Sequence, residues 1–228
     1  MIARVTKSVV NGQKLLKEYE ILRGNMIRKL RENGIADERV LRAMSEVPRD
    51  FFVPAALKSQ AYRDNALPIA ANQTISQPWI VARMTELLEL SPSDRVLEIG
   101  AGSGYQTAVL SKLVTAVFAV ERIPALADEA RLRLNTLGIA NVSLKCDDGT
   151  AGWEVYAPFD KVLVAAGGPS IPLPLVSQMK IGGKMVIPVG NDQKSQTLVR
   201  VTRTPDGFST EDCGACSFVP LIGQHGWK

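Results

Sequence analysis

The chain has 228 residues, 46% of them hydrophobic, and a net charge of +4, which fits one ordinary globular domain with a full core. No apolar run approaches the roughly 18 residues needed to span a bilayer, and the N-terminus lacks the apolar stretch and cleavage site of a signal peptide. Three cysteines are an odd count for a disulfide scaffold, so no membrane partner is expected and the cytoplasm is the expected compartment.

The charge is uneven, with ten Lys/Arg against five Asp/Glu in residues 1–42 and a balance of −1 in the rest. Those basic residues alternate with a stripe formed by Leu15, Tyr19, Leu22, Met26 and Leu30. They therefore read as the solvated face of a helix rather than a nucleic-acid arm, and no nucleic-acid partner is expected. The first dozen residues show no period. Helices are predicted over about 14–33, ending at Asn33-Gly34, and over about 37–47, where EVPRDFFVP breaks the pattern. A loop-like stretch runs from about 52 to 76. Ser76 then stands as the N-cap of a helix with Pro78 in its first turn and Ile80, Met84, Leu87 and Leu88 on one face.

From residue 95 strands and helices alternate. Strands are predicted at 95–99, 116–121, 142–146, 160–165 and 184–189, with helices at about 104–113, 124–137 and 170–180 between them. Two later strands, 196–203 and about 211–221, joined by TPDG, form an antiparallel pair. The pattern specifies an α/β, Rossmann-like fold. Its seven-stranded sheet is largely parallel, closes on antiparallel strands, carries helices on both faces, and is preceded by N-terminal helices.

The segment RVLEIGAGSGYQTAVL carries the chemistry. Gly100, Gly102 and Gly104 follow a buried strand, but no Gly-Lys-Ser/Thr follows for a triphosphate, and Tyr105 stands where a dinucleotide fingerprint needs its third glycine. Glu98 just before the loop repels a pyrophosphate and welcomes a cation. Glu121 ends the second strand of the alternating set, where a carboxylate accepts bonds from ribose hydroxyls. Asp147 and Asp148 end the third, before Gly149. Acids at three successive strand ends should face one crevice, and S-adenosylmethionine fits them: it has no phosphate, a positive sulfonium, a ribose diol and an adenine amine. The residues thus point to a Rossmann-like methyltransferase.

Further segments, ALPI, QTISQPWIVARMTELLEL, AVERI, DDGTAGW, FDKVLVAAGGPSIP, GGKMVIPVG and FVPLIG, occur in order along the chain. With them the sequence resembles the protein-L-isoaspartate O-methyltransferase family over about residues 25–225. The resemblance implies a class I fold and methyl transfer from S-adenosylmethionine to the free α-carboxylate of L-isoaspartyl, and D-aspartyl, residues of damaged proteins and peptides. S-adenosylhomocysteine is the product. The ester then collapses to a succinimide whose hydrolysis returns some normal aspartate.

Carried onto this chain, the family pattern assigns Ser76 as the active-site residue, contacting substrate with Gln77, Val219 and Pro220. It assigns the cofactor loop to Glu98, Gly100, Ala101, Gly102 and Gly104, with Thr74 and Ile75 beside it. Glu121 and Arg122 hold the ribose, and Asp147, Asp148 and Gly149 lie near the adenine. An α-carboxyl group has a pKa of roughly 3.5, so the nucleophile is already ionised and no general base is needed. The single histidine, His225, lies in the tail GQHGW and has no required part.

The expected organisation is a basic extension over 1–24 and one methyltransferase domain over 25–228, a helical cap and substrate loop (25–90) ahead of the cofactor-binding sheet (91–228). An open site for many protein substrates suits a monomer. The chain departs from the family in having Ala70, Ala71 and Asn72 in a Gly-x-Gly position, where Asn tolerates the left-handed backbone, and Asp147 in place of a glycine. Cys213 and Cys216 in CGAC lack two further ligands for zinc nearby, so no metal is expected. Trp79 is either core or substrate wall, Tyr105 is expected beside the cofactor, and Trp153 under the loop after the third strand.

Overall fold

The computed structural model describes residues 2–228, with side chains described from Lys17 onward. The first dozen residues' lack of period, and Leu15 in the apolar stripe, concern side chains outside the described residues. Helix α1 (Ile2–Glu32) starts ahead of the predicted position and buries Met26 and Leu30. α2 (Glu38–Glu46) is capped by Asp37, whose carboxylate accepts the Arg39 N–H. Within the predicted loop lie two 3-10 turns, Arg49–Phe52 and Ala55–Gln60, and a small antiparallel hairpin of β1 (Leu67–Pro68) and β2 (Thr74–Ile75). Its turn places Ala71 at φ +58° and Asn72 at φ +56°, with the Gln73 N–H bonded to the Ala70 carbonyl. Two left-handed residues in succession define a type I′ turn; Asn72 bears out its expected tolerance, and Ala71 adopts the same region without a glycine's freedom.

α3 (Pro78–Leu87) corrects one expectation: Gln77, not Ser76, is its N-cap residue, and Gln77 caps with no side-chain bond. Pro78 occupies the first helical position, which fixes the cap immediately before it. The Trp79 N–H is met instead by the Asp64 carboxylate at 2.8 Å, reaching in from the preceding loop.

The remaining elements are β3 (Arg95–Ile99), α4 (Tyr105–Ser111), β4 (Ala116–Glu121), α5 (Pro124–Thr136), β5 (Val142–Cys146), β6 (Phe159–Val164), α6 (Leu173–Ser177), β7 (Met179–Val189), β8 (Gln196–Thr204) and β9 (Gly207–Cys216). They form one seven-stranded sheet in the order β5-β4-β3-β6-β7-β8-β9, with β5 through β7 parallel and β8 antiparallel to both neighbours. The helix predicted over 170–180 shrinks to α6 because Pro169, Pro172 and Pro174 lack the N–H groups a longer helix needs. β9 ends at Cys216 rather than near 221. Beyond it the chain leaves β8, and Val219 and Leu221 bond across to Gly167, in the loop after β6.

Strand alternation divides the core. Leu97 and Ile99 face a cluster with Phe118, Val162, Leu175 and Met185, covered by α6 and the segment around Trp153. Val96 faces the opposite cluster under α3 and α4, with Met84, Leu110 and Val117. Glu98 shares that second face and is fully buried.

Candidate functional site

The chain runs β3, β4, β5 toward one edge and returns to β6 beside β3, so the order reverses at β3/β6. Ligands of such sheets bind beyond the C-terminal strand ends at that point. A cavity lies there, bounded by Gly100 and Gly102 after β3, Glu121 and Arg122 at the end of β4, Gly149 after β5, and Ala165 after β6. Thr74 closes it from the hairpin, and Val219 and Pro220 from the tail. Gly100, Gly102 and Gly104 all have positive φ (+85°, +54° and +88°), a run that side chains resist. Ile69 of the hairpin lies over the loop, within 3.8 Å of where a Gly102 Cβ would stand.

Glu121 organises this cavity. One carboxylate oxygen accepts the Gly102 N–H at 2.8 Å and the other the Ile123 N–H at 2.9 Å, so one side chain ties the glycine loop to the start of α5. Each oxygen retains acceptor capacity for a ligand's hydroxyls. Gly149 has no room for a side chain, since its Cβ would stand 2.5 Å from Ile99 Cγ2. A carboxylate with spare acceptors and an unobstructed glycine backbone together fit S-adenosylmethionine.

The other predicted cofactor acids are placed differently. Glu98 does not border the cavity; it lies under the loop with neither oxygen hydrogen-bonded. Burial pushes its pKa up to about 8, partly countered by Thr107 and reinforced by Glu121, although no hydrogen bond closes to Thr107, whose hydroxyl is also unpartnered. Asp148 spends its carboxylate on the Thr150 N–H and hydroxyl and on the Gln224 N–H. Burial opposes its ionisation, but these donors outweigh it and hold the carboxyl below its usual range. It thereby pins the C-terminal tail to the loop after β5. Asp147 is exposed and pairs with Lys145 at 2.8 Å, which lowers its pKa, as does the Asp148 N–H. Gly104 begins α4 against Ala130 and Phe52, a packing position. Ile75 and Ala101 border a smaller space under the loop.

A second cavity of about 280 Å³ adjoins the first through Thr74, Ala165 and Val219. Ser76, Gln77 and Trp79 form one side, Cys216 and Phe218 another. With the capping role gone, no hydrogen bond among the described residues engages the Ser76 hydroxyl. Trp79 is a wall of this cavity, its indole N–H bonded to the Asn33 carbonyl. Cys216 was not expected here; the signal was the bulge at Gly214 (φ +105°), which puts Cys213 and Cys216 against the same core cluster. Both thiols are free. Tyr105, the first residue of α4, is buried and borders the smaller space rather than either cavity. Trp153 packs edge-on to Phe118 beneath the loop after β5. His225 lies outside both cavities, its N–H on the Thr150 hydroxyl. Arg49, buried behind Ser76, belongs to no motif that marks it in the sequence. Among the described residues no group of three His, Cys, Asp or Glu is placed to hold a metal.

Fold and site together define a Rossmann-like, S-adenosylmethionine-dependent methyltransferase. Residues 22–226 match the profile of the protein-L-isoaspartate(D-aspartate) O-methyltransferase family, and the chain belongs to that family. It is 52% identical over 203 residues to the protein-L-isoaspartate O-methyltransferase of Syntrophus aciditrophicus, covering 88% of this chain and 93% of that protein. Its identity to the protein of that name from Dictyoglomus thermophilum is 49% over 211 residues, covering 92% and 96%. A solved protein-L-isoaspartate O-methyltransferase superposes with a TM-score of 0.83 at 28% identity, over 90% of this chain and 67% of that one. A Plasmodium falciparum structure, described as a complex with S-adenosyl-L-homocysteine, shares the fold at a TM-score of 0.75 and 24% identity, over 88% and 98%.

Proposed function

We propose that this chain methylates the free α-carboxylate of L-isoaspartyl, and D-aspartyl, residues in damaged proteins and peptides, starting their repair. The observation that carries the reading is the pair of adjoining cavities, with the Ser76 hydroxyl, which bonds to no other described residue, in the second. When bound, S-adenosylmethionine supplies an electrophilic methyl group on a cationic sulfur. The protein's part is to align an already ionised carboxylate with that methyl group and to exclude water, which screens the attraction between the two.

In this reading Ser76 donates its hydroxyl to the acceptor carboxylate and holds one oxygen in line. Gln77 and Val219 flank the substrate, with Pro220 at the boundary of the two cavities. Glu121 accepts the ribose hydroxyls beside Arg122, Gly100 and Gly102 admit the cofactor to the backbone, and Thr74 covers it. Ile75, Ala101 and Gly104 support the loop from behind. Glu98 acts from beneath the loop rather than by contact. Asp147, Asp148 and Gly149 frame the adenine end, where the backbone is better placed than the occupied Asp148 carboxylate.

We read residues 25–228 as one methyltransferase domain, 25–90 forming the cap and substrate loop, and 1–24 as a basic extension. No described helix is long and apolar enough to cross a membrane; we assign the protein to the cytoplasm as a monomer with no nucleic-acid partner. The test is methyl transfer from labelled S-adenosylmethionine to matched peptides containing L-isoaspartate or normal L-aspartate. Base-labile label in the isoaspartyl peptide alone is expected. Cofactor binding with neither peptide methylated rules the substrate assignment out.

A further inference from the structure

Among the described residues Arg49 is the largest fully buried side chain, and no carboxylate is bonded to it. It projects from the 3-10 turn Arg49–Phe52. Its Nε–H donates to the Ala61 carbonyl and one Nη–H to the Ser76 carbonyl, each at 2.7 Å, and Nη1 has no partner. The guanidinium lies 4.8 Å from the centre of the Tyr105 ring, an arrangement in which the ring's negative face offsets part of the cation's lost hydration. Tyr105 is the first residue of α4, directly after the glycine loop. One buried cation therefore bridges the backbone of the serine in the substrate cavity and the helix that follows the cofactor loop.

A staple between two main-chain carbonyls needs donors but not charge, and an uncompensated buried charge is costly. Burial pushes the guanidinium's pKa down, opposed by Tyr105, Asp64 and Tyr62, yet arginine stays protonated in proteins. The carboxylates nearby are turned elsewhere, Asp64 onto the Trp79 N–H and Asp50 onto the Tyr62 hydroxyl, and neither forms an ion pair with the guanidinium, although Asp64 acts on it through space. A permanent positive charge lies behind Ser76 and the cavity to which an anionic acceptor must come.

We propose that Arg49 is a positioning residue of the methyl transfer, fixing Ser76 through its carbonyl and giving the acceptor site the positive potential that draws a substrate carboxylate. Its planar fork holds two carbonyls from separate, fixed nitrogen atoms, Nε and Nη2, whereas a lysine offers all its donors from one freely rotating nitrogen. The two roles then separate by substitution. The inference rests on the carboxylate-methylating reading above.

The experiment measures kcat and KM for an isoaspartyl peptide, with the dissociation constant of S-adenosylhomocysteine by calorimetry, in wild type, Arg49→Lys and Arg49→Met. Lysine keeps the charge and loses the fork: kcat is expected to fall on the order of 10- to 100-fold, the loss of a hydrogen bond from a charged donor, with KM little changed. Methionine loses both, so KM also rises by a similar factor, while the cofactor product binds as in wild type. Variants whose kcat and KM stay within threefold of wild type, or whose peptide and product affinities fall in parallel, overturn the proposal. Because Arg49→Met leaves two buried carbonyls unpaired, a measurement on the wild-type protein stands beside it. With S-adenosylhomocysteine bound, the Arg49 Nε–H resonance should shift on adding isoaspartyl peptide and not on adding the aspartyl peptide; no shift with either overturns the proposal. Failure of the wild-type protein to methylate isoaspartyl peptide defeats the substrate reading instead, and methylation with indifferent variants defeats only the role of Arg49.

Discussion

Glu98 offers a sharp test of the electrostatics beneath the glycine loop. Its carboxyl is fully buried between β3 and α4 and unpartnered, with a pKa moved from 4.5 to about 8, chiefly by burial. Because the folded value lies above the unfolded one, the native state keeps a proton there that the unfolded chain releases between those pH values. The group's contribution to stability is whole below pH 4.5 and is lost as pH rises toward 8. The slope is at most about 1.4 kcal/mol per pH step, so between pH 5 and pH 8 the ceiling is about 4 kcal/mol. Local relaxation around a buried acid reduces this, and about 2 kcal/mol is the expected loss. Glu98→Gln keeps the shape of the protonated acid and removes the titration. Urea unfolding of both proteins without cofactor, at several pH values from 5 to 8, should show the wild type losing stability relative to the variant as pH rises. A constant difference across that range refutes the reasoning, because it means the carboxyl does not change protonation differently in the two states.

Three further substitutions probe the site's supports. Glu121→Ala leaves the Gly102 and Ile123 N–H groups without acceptors and should weaken S-adenosylhomocysteine binding by about 100-fold, at about 1.5–3 kcal/mol per charged bond; calorimetry giving less than a fivefold change counts against the organising role. Gly149→Ala drives a Cβ to within 2.5 Å of Ile99 Cγ2, so unfolding should show a loss of about 1–3 kcal/mol, with weaker product binding alongside. Asp64→Ala removes the acceptor at the start of α3 and should cost about 1 kcal/mol in denaturant unfolding; Ser76→Ala, by contrast, should leave stability nearly unchanged and lower kcat.

The β3-to-β6 part of the fold was legible because each strand is a short buried run and each crossover carries its own punctuation. Pro124 and Gly138 bracket α5 in the sequence almost as they do in the structure. Glu121 was legible for the same reason: a strand end and a glycine loop fix its surroundings locally. Ser76 was half legible. Its place before a helix gave the capping prediction, but a proline directly after the cap residue and the Asp64 carboxylate, fifteen positions before the Trp79 N–H it accepts, decided otherwise, and that contact leaves no local signal. The hydrogen bonds of Asp148 were no more legible, since its partner Gln224 is distant in sequence. Arg49 was invisible: EVPRDFFVP reads as a helix break, and only the folded chain brings Ala61, Ser76 and Tyr105 around it.

These departures converge on one arrangement. An acid expected to meet the cofactor directly lies beneath its loop, and a cation expected nowhere lies behind the acceptor serine. Neither has a neutralising partner in hydrogen-bond contact. Such groups are costly to bury; at neutral pH the carboxyl keeps its proton, so the guanidinium behind the site of the anionic acceptor is the one formal charge of the pair, while the methyl donor brings a cation of its own. Methyl transfer merges those charges, cation and anion becoming a neutral thioether and a neutral ester. The reaction itself therefore has no charge to create, and a site without a catalytic base is sufficient. The protein's work is to draw two opposite charges together without water between them, and that work falls to groups set one layer behind the reacting atoms.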